Sequence, residues 1–300
     1  MYHYVRDRTR SKYPAIAARN LGDFHAQLDY IGRHHRVVTV AEIAEAIVGR
    51  RALPTNAAWL TFDDGYRDHY ENVFPALRNR NWQGTFFPPL DAIRNRSLLD
   101  VNMIHFILAS APDPQAIIAE IRRFAEERGD RAFERYWNEW AKPSKLDTAE
   151  VLFIKRALQF GLPKEYRADL CRRLFGQFVP EDPGTVAAEL YVTEAELREM
   201  IGAGMHVGGH GARHVRLSEL GPAEQAAEIE MTRSFLEDLD MTRRGWVMCY
   251  PHGAYNRVTI DLLREKDCTI ALTTRRGVAN IEAERLYELP RLDTNEIPLA

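Results

Sequence analysis

The chain has 300 residues, of which 45% are hydrophobic and 28% charged, with a formal net charge of −3. That is enough chain for one large α/β domain, or for a domain carrying a sizeable insertion. The balance argues against a nucleic-acid or anionic-membrane partner, and no apolar run reaches the length of a membrane span.

The opening residues lack the apolar stretch of a signal peptide. The cysteines Cys171, Cys249 and Cys268 are odd in number and far apart. They read as reduced, mostly buried thiols, which makes a cytoplasmic location the expectation.

In chain order, "YHYV" reads as a first strand and "DFHAQLDYIGRHH" as a helix with Phe24, Leu28 and Ile31 on one face. "RVVTV" is a short strand, and Thr39 with Glu42 has capping-box spacing before the next helix. "AAWLTF" is an apolar strand that ends on Asp63 and Asp64. A helix over "RDHYENVFPALRNR", bent by Pro75, leads to the strand "GTFF". The alternation then stops, and residues 95–190 read as a mostly helical insertion or cap. It resumes with a helix capped by Thr193 and Glu196, the strand "MHV", and a helix over "PAEQAAEIEMTRSFLEDL". The strand "GWVMCY", the helix "VTIDLLREK" and the strands "CTIALTT" and "YELPRL" complete the chain. Residues 1–94 and 191–300 therefore form the expected α/β frame, with a parallel sheet either open or closed as a barrel.

Three loops at strand ends hold polar clusters: "FDDG", "GGHGARH" and "YPHGAYN". The C-terminal ends of parallel strands are where active sites assemble. His210 and His214 are spaced i, i+4, so two imidazoles and one carboxylate of the aspartate pair can share a cation and leave positions open for substrate. One aspartate would then coordinate while its neighbour takes a proton. An isolated His-x-x-x-His, or "DDG" as a bare turn, would be a weak signal; the three clusters together are more specific.

"TFDDG", "HGARH" and "YPHGAYN", in this order, resemble the motifs of the polysaccharide deacetylase family, carbohydrate esterase family four. The resemblance implies a distorted (β/α) barrel and metal-dependent removal of N- or O-acetyl groups from saccharides, such as precursors of surface polysaccharide. By position it implies Asp63 as general base and Asp64, His210 and His214 as ligands of a divalent metal, zinc first, with cobalt, nickel or manganese as alternatives. The loop of Pro251, His252 and Tyr255 would bind the acyl substrate, with the backbone N–H of His252 as oxyanion donor.

The match departs from the family at Gly211, where Ser or Thr is usual, and at His252, where Tyr is usual. A fourth motif with its acid histidine is not evident. His3, in a "YH" opening similar to that of extracellular-matrix polysaccharide deacetylases, and His252 are the two candidates for the acid. Arg291 in "LPRLD" could pair with Asp63 and tune it. Trp82, Trp137 and Trp140 read as packing residues before sugar platforms. Competing readings are a hydrolase of a non-sugar amide or formamide, a non-catalytic saccharide-binding homologue, and a non-haem iron oxygenase, which shares the two-His-one-carboxylate pattern.

Overall fold

A computed structural model describes residues 1–144, 147–244, 246–281 and 285–299, with side chains for all of these but Arg244. The backbone divides into two compact units. The first holds Met1–Asp7, Ala18–Ser97 and Glu189–Ala300, and the second Arg8–Ala17 and Leu98–Ala188.

In chain order, α1 (Leu21–His34) is capped by Asn20 and buries Phe24, Leu28 and Ile31. Strand β1 (Arg36–Val37) precedes α2 (Val40–Ile47), whose capping box of Thr39 and Glu42 satisfies otherwise unpaired N–H groups. The apolar run "AAWLTF" is divided into β2 (Ala57–Ala58) and β3 (Leu60–Asp63), because only the latter pairs with β4 (Gly84–Phe87). Between β3 and β4 lie a π-turn, His69–Val73, and α3 (Phe74–Arg78). Pro75 follows directly on the π-turn in a helical backbone that runs unbroken from residue 67 to 78, so the irregularity the proline imposes falls at the π-turn. A short helix, α4 (Leu90–Arg94), follows β4.

The helices α5 (Asp100–Ser110), α6 (Pro114–Glu127), α7 (Phe133–Trp140), α8 (Ala149–Arg156) and α9 (Lys164–Phe178) come next, with α10 (Pro183–Leu190) leaving the second unit. Inside that unit Trp140 stacks on Tyr136 at 4.9 Å and Trp137 lies 5.0 Å from Phe153, so both tryptophans pack locally. Cys171 is buried on α9.

Back in the first unit come α11 (Glu194–Gly202), β5 (His206–Val207), α12 (Pro222–Asp238), β6 (Val247–Cys249), α13 (Arg257–Glu265), β7 (Ile270–Arg276) and β8 (Leu289–Arg291). Gly245, the first residue of the predicted strand "GWVMCY", lies outside the described residues.

All named strand pairs are parallel, in the orders β1-β2, β3-β4-β5 and β6-β7-β8. Isolated bridges extend the wall. Gly209 pairs with Met248, which links β5 to β6, and Tyr2 pairs with Phe62, which sets the N-terminal segment beside β3. The nitrogen of Met1 donates to the carbonyl of Leu292, and Thr294 N–H donates to Met1, which brings the end of β8 to the same segment. The succession from the N-terminal segment through β3 to β8 thus returns on itself as a distorted α/β barrel. The predicted first strand "YHYV" is not a regular strand. Tyr2 bridges to Phe62, while Val5 bridges to Arg19 instead, so the segment changes partners within a few residues.

Candidate active site

Asp63 and Asp64 stand where β3 ends, and they point apart because the backbone turns over between them. Asp64 has φ +74° and Gly65 has φ +67°. The left-handed region is costly for residues with a Cβ, but Asp is among the few that tolerate it. A Cβ on Gly65 would lie 2.7 Å from that of Pro88, so the turn requires glycine on two counts. His214 and His252 also have positive φ, at +55° and +56°. Such concentrated backbone strain marks sites whose side chains must be aimed against local preference.

Asp64 turns its Oδ1 to both imidazoles, 3.3 Å from Nε2 of His210 and 3.3 Å from Nε2 of His214. Its other oxygen accepts a 2.7 Å hydrogen bond from the Tyr66 hydroxyl. His210 Nδ1 lies 2.8 Å from the carbonyl of Cys249. A carbonyl only accepts, so Nδ1 carries a hydrogen and Nε2 is the ring nitrogen turned to Asp64. Burial by itself would raise the Asp64 carboxyl, but its hydrogen bonds to His210 and His214 hold it well below the usual range. The candidate ligand atoms of Asp64, His210 and His214 therefore converge on one point, and Asp64 and His210 are oriented by hydrogen bonds on their far sides. This donor set fits a divalent cation.

Asp63 faces a different partner. Arg291 reaches across from β8 and grips both carboxylate oxygens at 2.8 Å, while its Nε donates to the Thr273 carbonyl. Both residues are buried. Burial pushes the Asp63 carboxyl up, but the charge and hydrogen bonds of Arg291, followed by His210 and His3, outweigh it and hold the carboxyl far below its ordinary value. The Cys249 thiol lies 3.1 Å from Arg291 Nη2 and 3.5 Å from Asp63 Oδ2. Asp63, His210 and Cys249 also converge, but the guanidinium already supplies positive charge there.

The remaining predicted residues fall at different distances. His3 Nε2 is 3.8 Å from Asp63 Oδ2, and its side chain is 43% exposed. Its carbonyl lies 2.8 Å from Nε2 of His69, which ties the N-terminal segment to the π-turn. The His252 ring is 4.6 Å from that of His214. Burial, then His214 and Arg216, pushes the His252 imidazole well below its usual value. Pro251 is buried against Gly211, where an added Cβ would come within 3.1 Å of Pro251 Cγ. Tyr255 stacks on Tyr250 at 4.5 Å and donates to Glu288, so it engages a separate set of residues. Trp82 lies in a surface groove of about 640 Å³ with Leu28, Gly32 and Arg80, away from the carboxylate–histidine cluster.

The site also includes residues the sequence reading passed over. Tyr66, immediately after "DDG", orients Asp64, and Cys249, immediately before "YPHG", orients His210 and touches Arg291. Their adjacency to the motifs was the available signal.

A family model described as polysaccharide deacetylase matches residues 50–104 and 175–271. The poly-beta-1,6-N-acetyl-D-glucosamine N-deacetylase of Escherichia coli K12 is 24% identical over 292 residues, covering 97% of this chain and 35% of that protein. The chain thus spans about a third of the length of the curated relatives it matches. Among solved structures, the Streptococcus pyogenes deacetylase PplD in complex with acetate superposes with a TM-score of 0.59 at 16% identity, over 97% of this chain and 89% of that one. IcaB from Ammonifex degensii gives 0.55 at 18% identity, again over 97% and 89%. These structures share the fold.

Proposed function

Because the chain belongs to the polysaccharide deacetylase family, we propose that it hydrolyses the acetyl amide of N-acetylated saccharide units with the help of a divalent metal. The observation that carries the reading is the division of the aspartate pair, Asp64 turned to two imidazoles and Asp63 turned to Arg291. The Escherichia coli relative is named for a polymer of N-acetylglucosamine, which makes amino-sugar oligomers the first substrates to try.

Asp64, His210 and His214 would hold the cation. Once bound, a divalent metal acidifies a nearby water enough for a base as weak as Asp63 and polarises the acetyl carbonyl. Asp63 stays ionised through the neutral range because Arg291 is always charged beside it, and so it is ready to accept the proton of the attacking water. Water adds to the carbonyl carbon, and the oxyanion takes a hydrogen bond from the backbone N–H of His252. A donor of that kind contributes about 3–4 kcal/mol in measured cases. The carbon–nitrogen bond then breaks, the nitrogen takes a proton, and acetate and a free amine leave.

His3 suits the acid role better than His252. It stands beside Asp63 with its ring open to solvent. The enclosure of His252 beside His214 keeps its ring neutral, which leaves that residue its backbone N–H.

The test is acetate release from N-acetylglucosamine oligomers by chelator-stripped protein, before and after addition of zinc or cobalt. Metal-dependent release is expected. No release from these oligomers, or hydrolysis confined to small non-sugar amides, would overturn the substrate assignment.

A further inference from the structure

The segment from His210 to His214 is a loop with no regular structure of its own, yet it must hold two imidazoles in register. Gly211 has φ +72°, which glycine adopts freely, but His214 has φ +55°, which costs a residue with a Cβ and must be held by its surroundings. Its backbone is held from both sides. The carbonyls of Gly211 and Ala212 accept from the N–H groups of Leu90 and Asp91, at 3.3 and 2.9 Å. On the other side, Glu228 of α12 offers a carboxylate that is 0% exposed. One of its oxygens accepts the consecutive N–H groups of Ala212 and Arg213, at 3.0 and 3.2 Å, and the other oxygen pairs with the Arg213 guanidinium.

A buried carboxylate is expensive unless every lone pair is used, and here its partners all belong to the residues strung between the two histidines. Charge-assisted bonds are roughly twice as strong as neutral ones, so this is a stiff clamp. We propose that Glu228 is a positioning residue for the metal site: it fixes the loop between His210 and His214 and thereby sets the affinity for the cation. The proposal rests on the metal reading above. Partners of this kind around metal ligands typically change affinity by about 10–100-fold when removed.

The experiment measures Zn²⁺ affinity by chelator competition and Co²⁺ binding by visible absorption, on the folded full chain. Glu228→Gln keeps an oxygen for the two N–H groups but loses the charge, and should weaken binding on the order of 10-fold; Glu228→Met removes all acceptors and should approach about 100-fold. Gln225→Met is the control. Gln225 is buried one turn earlier on α12 and bonds Leu220 and Thr259 instead of the loop. Its loss should lower the melting temperature of the metal-free protein and leave Zn²⁺ affinity unchanged. Equal affinity in wild type and Glu228→Gln overturns the clamp, and so does an equal loss of affinity in Gln225→Met. No binding by wild type would instead sink the metal reading itself.

Discussion

Replacing Arg291 by Gln would separate the two things that set the state of Asp63. The guanidinium touches both oxygens at 2.8 Å in a buried setting, and the variant leaves a carboxylate with its desolvation uncompensated. Breaking a buried pair by removing one partner costs about 3–5 kcal/mol. In the wild type the folded-state pKa of Asp63 is depressed. Its stabilisation is therefore complete above the unfolded value of about 3.9 and declines as pH falls below it. In the variant, burial raises the value, so Asp63 takes up a proton on the way down from neutral pH and the penalty is relieved. Urea unfolding of the metal-free proteins should show a gap of about 3–5 kcal/mol at pH 7 that narrows toward pH 4. A gap near zero at pH 7, or one that widens on acidification, would refute the reasoning.

Other outcomes follow from the same geometry. His3→Ala should slow acetate release from N-acetyl sugars by about 10²–10⁴-fold yet spare an activated aryl acetate, whose leaving group needs no proton; equal losses on both would remove His3 from the acid role. Tyr66→Phe removes the 2.7 Å bond to Asp64 and should lower Zn²⁺ affinity by about 10-fold, read by chelator competition. Gly253 has φ +63°, and an added Cβ would meet Thr274 Oγ1 at 2.2 Å. Gly253→Ala should therefore destabilise by about 1–3 kcal/mol in thermal unfolding, from strain plus overpacking.

Much of the site was legible because its chemistry sits in short loops directly after apolar strands. Asp63 and Asp64 follow "WLTF", and His210 and His214 follow "MHVGG". Those residues advertise themselves by type and spacing. Arg291 was suggested by its place on the last strand, but only the return of β8 to the N-terminal segment explains how it reaches β3. Glu228 gave no signal at all. It lies within a long helix among other acidic residues, and its role depends on which face of α12 meets the loop. Helix α4 escaped notice as well. It is five residues long and follows two prolines, too short for a periodic pattern, yet its first N–H groups support the loop between the histidines. The first strand was overread because "YHYV" has strand propensity, whereas its backbone switches partners after Tyr2.

The central claim is that two adjacent carboxylates do different jobs, and metal stoichiometry together with acetate release tests it most directly. Asp63→Asn should bind a single divalent ion per chain and release no acetate, while Asp64→Asn should lose the ion and the activity together. If Asp64→Asn binds the ion as tightly as wild type, or if Asp63→Asn loses it, the division of labour between them is wrong.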